Sequence, residues 1–370
     1  MSRPRLQLDV EDFLAKHWQR EHLFIPAGFQ NFEVPADADE LAGLAIEEEV
    51  DGRIVSADEG HWHQERGPFT AESYERGGSW SLLVQSVDQY WDETAELLRA
   101  VEFLPTWRLD DIMMSYATDG GSAGPHYDNY DVFIIQGEGQ RLWQIGGACN
   151  ASSSLMENTD LRLLSDFEPH HEYLMSCGDV LYVPPGIAHY GTSVGESTSF
   201  SIGFRAPRHS DLLARWADNR LNALEDDALF RDPARKISKR SGEITSEDLE
   251  RARIQLLQLL DQSDPKWFGE AITDVATTHS DVRDTKSVRD CERGWITRIP
   301  GSRLAWHASG DELMVFAHGC SHDAPLCLQP LIEALCRNEE VVLEEARYLH
   351  DAAPGLLSWL CEEGVILCYE

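Results

Sequence analysis

Up to about residue 205 the apolar positions come as short β-branched and aromatic runs cut by Gly, Pro and Asp turns, which predicts strands rather than packed helices. The runs Ile112 to Tyr116, Val132 to Gln136, Arg141 to Ile145, Glu172 to Met175, Asp179 to Val183 and Ser197 to Phe204 are the strongest strand candidates. So many short strands at this spacing predict a jelly-roll barrel. The turn Gly137-Glu138-Gly139 predicts that Val132 to Gln136 and Arg141 to Ile145 form a hairpin. Two segments are helical by pattern: Asp9 to Leu14 opens one helix, and Val84 to Val101 carries Val87, Tyr90, Trp91, Ala95, Leu97 and Leu98 at roughly helical spacing. Both are expected to buttress the barrel.

From Ser210 the period changes. Leu212, Leu213, Trp216, Leu221 and Leu224 repeat at helical spacing, and Ser246-Glu247-Asp248-Leu249 caps a second helix running to Leu260. That pair cannot bury its apolar faces alone. From about residue 276 the pattern mixes strand-like Gly294 to Ile299 and Leu313 to Phe316 with helical Leu328 to Cys336 and Pro354 to Glu362, and closes on the strand Val365 to Tyr369. The chain therefore divides into residues 1–205, 206–275 and 276–370, an α+β organisation.

Composition narrows the class. At 370 residues, 42% hydrophobic and 9% aromatic, the chain buries a large core. The formal net charge of −34 disfavours direct DNA binding, because a duplex would meet a field of its own sign. A basic partner is attracted instead; an acidic, Lys-poor surface also suits a salt-tolerant organism. Neither a signal peptide nor an apolar run of membrane-spanning length is present, so a cytoplasmic protein without membrane contact is expected. Eight cysteines without a C-x-x-C pair are expected to be reduced and buried. The cluster His318-Gly319-Cys320-Ser321-His322 fits no common zinc spacing.

The chemistry concentrates at His126-Tyr127-Asp128 and at His189, which ends Pro184-Pro185-Gly186-Ile187-Ala188-His189. Residues i and i+2 of a strand share a face, so His126 and Asp128 can grip one ion from one strand, with His189 completing the set from a neighbour. Two imidazoles and a carboxylate suit Fe(II) and leave three octahedral positions for a co-substrate and dioxygen. Structural zinc would need a fourth ligand.

These residues resemble a known family. Gly178, Pro184, Gly186 and His189 are spaced as in the second metal motif of cupins, and the whole set resembles the JmjC-type Fe(II)- and 2-oxoglutarate-dependent dioxygenases. Within them the chain is most similar to the bacterial ribosomal oxygenases, which hydroxylate an arginine of large-subunit ribosomal protein L sixteen. The resemblance is carried by Gly124 to Gly137, by Ser201 to Pro207, and by Phe13-Leu14, His17-Trp18-Gln19-Arg20 and Leu23-Phe24-Ile25. It implies a double-stranded β-helix catalytic domain, a helical dimerisation region and a C-terminal winged-helix-like domain. It further implies that His126, Asp128 and His189 bind iron, that Arg141 binds the distal carboxylate of 2-oxoglutarate, and that Ser115 and Ser199 are hydrogen-bonding partners for the co-substrate. A guanidinium suits the Arg141 role because its planar fork matches a carboxylate. Related proteins can carry Asn where this chain has Ser199, and many cupins carry Asn where it has Ser193.

The expected activity is hydroxylation of a ribosomal arginine, in a homodimer. Asp111, Asp119 and Asp131 flank the metal segment as candidates to meet a cationic substrate. Two alternatives stay open: a ribosomal histidine or methylated lysine as target, and a metal-binding scaffold without turnover. Against the scaffold stands the intact set of three ligands together with Arg141.

Overall fold

A computed structural model describes residues 5–30, 32–58, 60–157, 159–224, 229–233, 235, 242–260, 265–274 and 293–369. Cys291 and the first residues of the 276–370 segment lie outside the described residues; of the other cysteines only Cys336 and Cys368 are buried, and Cys177, Cys320 and Cys327 are exposed, contrary to expectation. The chain forms two compact units, Met1–Ala206 with Ile299–Gly301, and Pro207–Arg298 with Ser302–Glu370.

In the first unit the strands are β1 Leu23–Ile25, β2 Gly52–Asp58, β3 His61–Arg66, β4 Trp80–Val84, β5 Leu109–Ala117, β6 Val132–Gln136, β7 Gln140–Ala148, β8 His171–Ser176, β9 Val180–Val183, β10 Ile187–Val194 and β11 Ser197–Phe204. They make an eight-stranded sheet, β1-β9-β6-β11-β5-β4-β2-β3, and a three-stranded sheet, β10-β7-β8. Together these are the expected jelly-roll, and the six strand candidates all fall on observed strands.

Strand alternation explains why the large sheet has two apolar faces. Ile112, Met114, Phe133, Ile135, Phe200, Ile202 and Phe204 point outward into one core, with Phe13 of the helix Val10–Lys16 among them. The Phe13 ring meets Tyr182 at 4.9 Å and Phe133 at 5.5 Å between centroids. Emptying so buried a site costs on the order of 3–5 kcal/mol. Their neighbours Val132, Ile134, Leu181 and Val183 point inward to Trp143, Ile145 and Met175 of the small sheet.

Two expectations fail here. β6 and β7 do not pair: β6 lies between β9 and β11, whereas β7 lies between β10 and β8. Gly137-Glu138-Gly139 instead carries the chain from one sheet to the other. Its polar groups are taken up by the neighbouring strand, since Gln136 Nε2 donates to Thr198 O at 2.9 Å and Glu138 N donates to Thr198 Oγ1 at 2.8 Å. Gly139 has φ +67°, and a Cβ there would stand 2.0 Å from Glu196 O.

Nor is Val84 to Val101 one helix. After β4 it breaks into 3₁₀ turns Val87–Gln89 and Glu96–Val101 around the single turn Asp92–Ala95. Ser86 is left-handed at φ 57°, and Trp91 is extended at φ −129°, ψ 121°. Side-chain bonds stabilise these breaks: Ile112 N donates to Asp88 Oδ1 at 2.8 Å, and Thr94 Oγ1 donates to Val87 O at 3.0 Å.

The second unit contains the helices His209–Ala223, Ser246–Leu260 and Lys266–Thr273. Thr245 rather than Ser246 caps the second of these: its Oγ1 accepts from Asp248 N at 3.2 Å, while Asp248 Oδ2 accepts from Thr245 N at 2.9 Å. The rest comprises the sheet Leu304–Ser309, Glu312–Ala317, Cys320–Pro325, the sheet Val341–Val342, Trp295–Arg298, Ile366–Tyr369, and the helices Gln329–Cys336, Leu343–Tyr348 and Ala353–Glu362. Leu331, Ile332, Leu335, Leu356, Leu357 and Leu360 supply much of its core. Three helices with a three-stranded sheet are consistent with a winged-helix-like end. No residue of helix His209–Ala223 is buried.

Candidate active site

His126 does not sit on a regular strand as expected. Pro125 has no N–H to give to a ladder, and Gly124 turns the chain at φ +86° with Leu163 packed on it. What remains is one antiparallel bridge: His126 N donates to His189 O at 3.0 Å, and His189 N donates to His126 O at 2.8 Å. Two residues on, Gly186 N donates to Asp128 O at 2.7 Å. The metal segment is thereby tied to β10 and its leading turn at two points.

The three side chains converge. Their ligand atoms all lie within 4.8 Å of one another, and among the described residues no other group of three His, Cys, Asp or Glu does so. The two imidazole centroids are 4.3 Å apart, and His189 Nε2 is 3.5 Å from Asp128 Oδ2. His189 is buried; the other two are half-buried.

Backbone carbonyls decide which ring atom is free. His126 Nδ1 lies 2.8 Å from Gly124 O, and His189 Nδ1 lies 3.0 Å from Ile187 O. A carbonyl only accepts, so each Nδ1 carries a hydrogen and Nε2 is the ring atom left to face a metal. Burial, and then the neighbouring His126, hold His189 below the ordinary histidine range, so it is neutral at pH 7. Two imidazole Nε2 atoms and one carboxylate on one side fit an octahedral ferrous ion with open positions.

Arg141 lies deeper. In the β10–β7 register His189 faces Ile145, Gly191 faces Trp143 and Ser193 faces Arg141, so the inner face of this ribbon runs from the metal ligands to the guanidinium. Arg141 is 7% exposed. Its Nη1 donates to Ser115 Oγ and Ser199 Oγ, both at 2.9 Å; its Nη2 and Nε donate to Ser197 Oγ at 3.1 and 3.3 Å. All these acceptors are neutral. Burial pulls the guanidinium down to about 10, and no carboxylate pairs with it among the described residues. A buried cation held only by hydroxyls and a backbone carbonyl is an anion site.

Ser115 and Ser199 stand opposite each other on β5 and β11, 2.9 Å apart, and both are bonded to Arg141. Ser197 was missed. Its alternation with Ser199 along β11 is a signal that both share one face. Ser193 joins this group through Ser197 Oγ at 2.6 Å. Trp143 was read as a strand residue only, and it stands between His189 and Arg141.

Of the three candidate substrate carboxylates, Asp131 is excluded by burial, while Asp111 and Asp119 each accept from a backbone N–H. Asp131 is fully buried and accepts from Tyr182 OH at 2.6 Å, Gln19 Nε2 at 3.0 Å and Arg108 Nη2 at 3.2 Å. Burial raises its carboxyl against the pull of those partners. It cements the barrel and cannot meet a substrate. Asp119 accepts from Gly195 N at 2.8 Å, and Asp111 from Ser86 N at 2.9 Å, so both brace turns.

Residues 96–212 match the family model of the JmjC domain. The chain is 36% identical over 351 residues to the "Ribosomal protein uL16 3-hydroxylase" of Escherichia coli, covering 92% of each chain. This chain belongs to the JmjC ribosomal oxygenases. A "Probable ribosomal oxygenase" of Haemophilus influenzae is 34% identical over 84% of this chain and 81% of its own. The Escherichia coli ribosomal oxygenase YcfD, solved in complex with cobalt and 2-oxoglutarate, superposes with a TM-score of 0.82 at 33% identity, covering 99% of this ribosomal oxygenase and all of that chain. Among the described residues of this ribosomal oxygenase no helix is long and apolar enough to cross a membrane.

Proposed function

We propose that this chain is an Fe(II)- and 2-oxoglutarate-dependent hydroxylase of an arginine side chain in a large-subunit ribosomal protein. The observation that carries the chemistry is Arg141, a buried guanidinium with no carboxylate partner among the described residues, on the same inner face of the ribbon as His189, which converges with His126 and Asp128. A dicarboxylate closes both gaps at once, with one carboxylate on the arginine fork and the other end at the metal. The arginine target is supported by likeness over nearly the full length to a uL16 3-hydroxylase.

In this reading His126, Asp128 and His189 hold the iron, Arg141 anchors 2-oxoglutarate, and Ser115 and Ser199 steady that anchor. Bound iron with 2-oxoglutarate and dioxygen supplies the oxidising equivalent for C–H hydroxylation. The chain's own work is to hold both Nδ1 atoms on backbone carbonyls so that Nε2 faces the metal, to neutralise the distal carboxylate and to keep the barrel interior dry. The enzyme works as a homodimer in the cytoplasm, pairing through its helical region; its net charge of −34 attracts a basic ribosomal protein and disfavours direct DNA binding.

The test is incubation with Fe(II), 2-oxoglutarate, oxygen and isolated ribosomal proteins, followed by peptide mass spectrometry. One added oxygen on an arginine of a large-subunit protein is expected. An added oxygen on histidine, or loss of methyl from lysine, would reassign the target; succinate formation without any protein product would overturn it.

A further inference from the structure

Ser81 Oγ, Gln136 Oε1 and Trp143 Nε1 are buried polar atoms of the barrel strands without a hydrogen-bond partner, and Trp143 is the one whose residue lies between the levels of His189 and Arg141 on the β10–β7 ribbon. Trp143 Nε1 is buried with no hydrogen-bond partner, on a residue only 8% exposed. The indole packs in a cluster with Val132, Ile134, Ile145, Met175 and Leu181. A buried orphan N–H costs about 1–3 kcal/mol, and native proteins keep few of them. Phenylalanine would pack in that cluster without that cost.

The indole is also seated with care. Across the β10–β7 ladder from Trp143 stands Gly191, and a Cβ at Gly191 would meet the ring at 2.8 Å. Gly191 has no left-handed backbone to explain it. The glycine is there for space, and the space is filled by the indole. Along the ribbon Trp143 lies one inward step from Arg141 and one from the level of His189, whose ring is 6.0 Å from its own. Anything that reaches from the metal ligands to the guanidinium passes this position.

We infer that Trp143 is a co-substrate-binding residue, its indole N–H donating to an oxygen of the keto-diacid that spans the triad and Arg141. This rests on the proposed function, and supplies the acceptor that Trp143 Nε1 lacks. Arg141 then provides charge at one end, the metal ligands hold the other, and Trp143 fixes the molecule between them with a neutral donor.

The test uses full-length protein loaded with Zn(II), which supports no turnover, and calorimetric titration of 2-oxoglutarate into wild type, Trp143→Phe and Arg141→Lys. Trp143→Phe is expected to raise Kd about tenfold, the worth of one hydrogen bond to a charged group, with Zn(II) affinity unchanged. An unchanged Kd in Trp143→Phe beside a raised Kd in Arg141→Lys overturns the Trp143 assignment alone. Unchanged values in both overturn the co-substrate site itself. A second measurement needs no variant. In ¹⁵N-tryptophan-labelled wild type, the Trp143 indole N–H resonance, assigned from its contacts to the His189 ring, should move downfield when 2-oxoglutarate is added. A resonance that stays in place overturns the inference.

Discussion

The barrel interior and the helical region break the usual rule of burial in opposite directions. The barrel buries a cation: Arg141 is 7% exposed and bonded only to serines. The helices expose hydrocarbon, since Leu213 and Leu221 on one and Leu249 and Leu256 on the other are each 63–65% exposed. Each violation names what is missing by its chemistry. A desolvated guanidinium in a narrow interior asks for a small anion. A stripe of leucines on two helices asks for a surface as large as itself, and closed two-fold pairing is the commonest way to supply one.

The largest effect should come from emptying the triad. His126→Ala or Asp128→Ala is expected to abolish ferrous binding and hydroxylation while the fold survives, because the core around Phe13 and the sheet pairing do not depend on either side chain. Metal analysis after anaerobic loading, beside a thermal melt of the metal-free protein, checks both halves. Full 2-oxoglutarate turnover by either variant would remove the metal role and leave the barrel with only its anion site.

Next comes the exposed stripe. Replacing Leu213 and Leu221 together by Asp should leave monomer stability within about 0.5 kcal/mol, as for surface substitutions generally. It should weaken a dimer by about 3 kcal/mol or more, given roughly 1.5–3 kcal/mol for each leucine buried. Light scattering of wild type at micromolar concentration comes first. A wild-type monomer would mean that the apolar stripe is not a dimer interface, and the symmetry of the comparison would be lost.

Sequence reading was most successful where a local rule governs. Val132–Gln136 is a strand whose continuous apolar run reflects burial on both faces, Ser197–Phe204 is also a strand, and the H-x-D pair with its distant histidine does converge. It failed where partners far away in sequence decide. The hairpin of β6 with β7 is the natural reading of a Gly-Glu-Gly turn, but Thr198 captures that turn's donor and sends the chain to the other sheet. Val84 to Val101 has helical spacing, yet Asp88 is drawn off to cap β5. Asp131 looked like a substrate carboxylate because its partners, Gln19, Arg108 and Tyr182, lie 112, 23 and 51 residues away.

A smaller effect is expected at the anion site. Arg141→Lys should weaken 2-oxoglutarate by about 1.5–3 kcal/mol, because the charge stays but the planar fork is lost. Ferrous affinity should hold, since the ligands are two inward steps away along the ribbon. Anaerobic titration separates the two. Equal co-substrate affinity would send the carboxylate elsewhere and leave the buried cation unexplained.

The smallest effect should come from the serines, and it sharpens what kind of site the barrel holds. Ser115 and Ser199 share Arg141 Nη1, each at 2.9 Å, and they also bond to each other. If their work is to aim the guanidinium, then Ser199→Ala alone leaves Nη1 with Ser115 and should cost about 0.5–1.5 kcal/mol of co-substrate affinity. Losing both hydroxyls strands a donor in a dry interior, so the double variant should cost more than the sum of the singles and approach Arg141→Lys. If the hydroxyls instead bind the co-substrate directly, each acts independently of the arginine and the losses simply add. A double-mutant cycle on 2-oxoglutarate affinity distinguishes the two, and strict additivity would make the serines ligands in their own right rather than the frame of the cation.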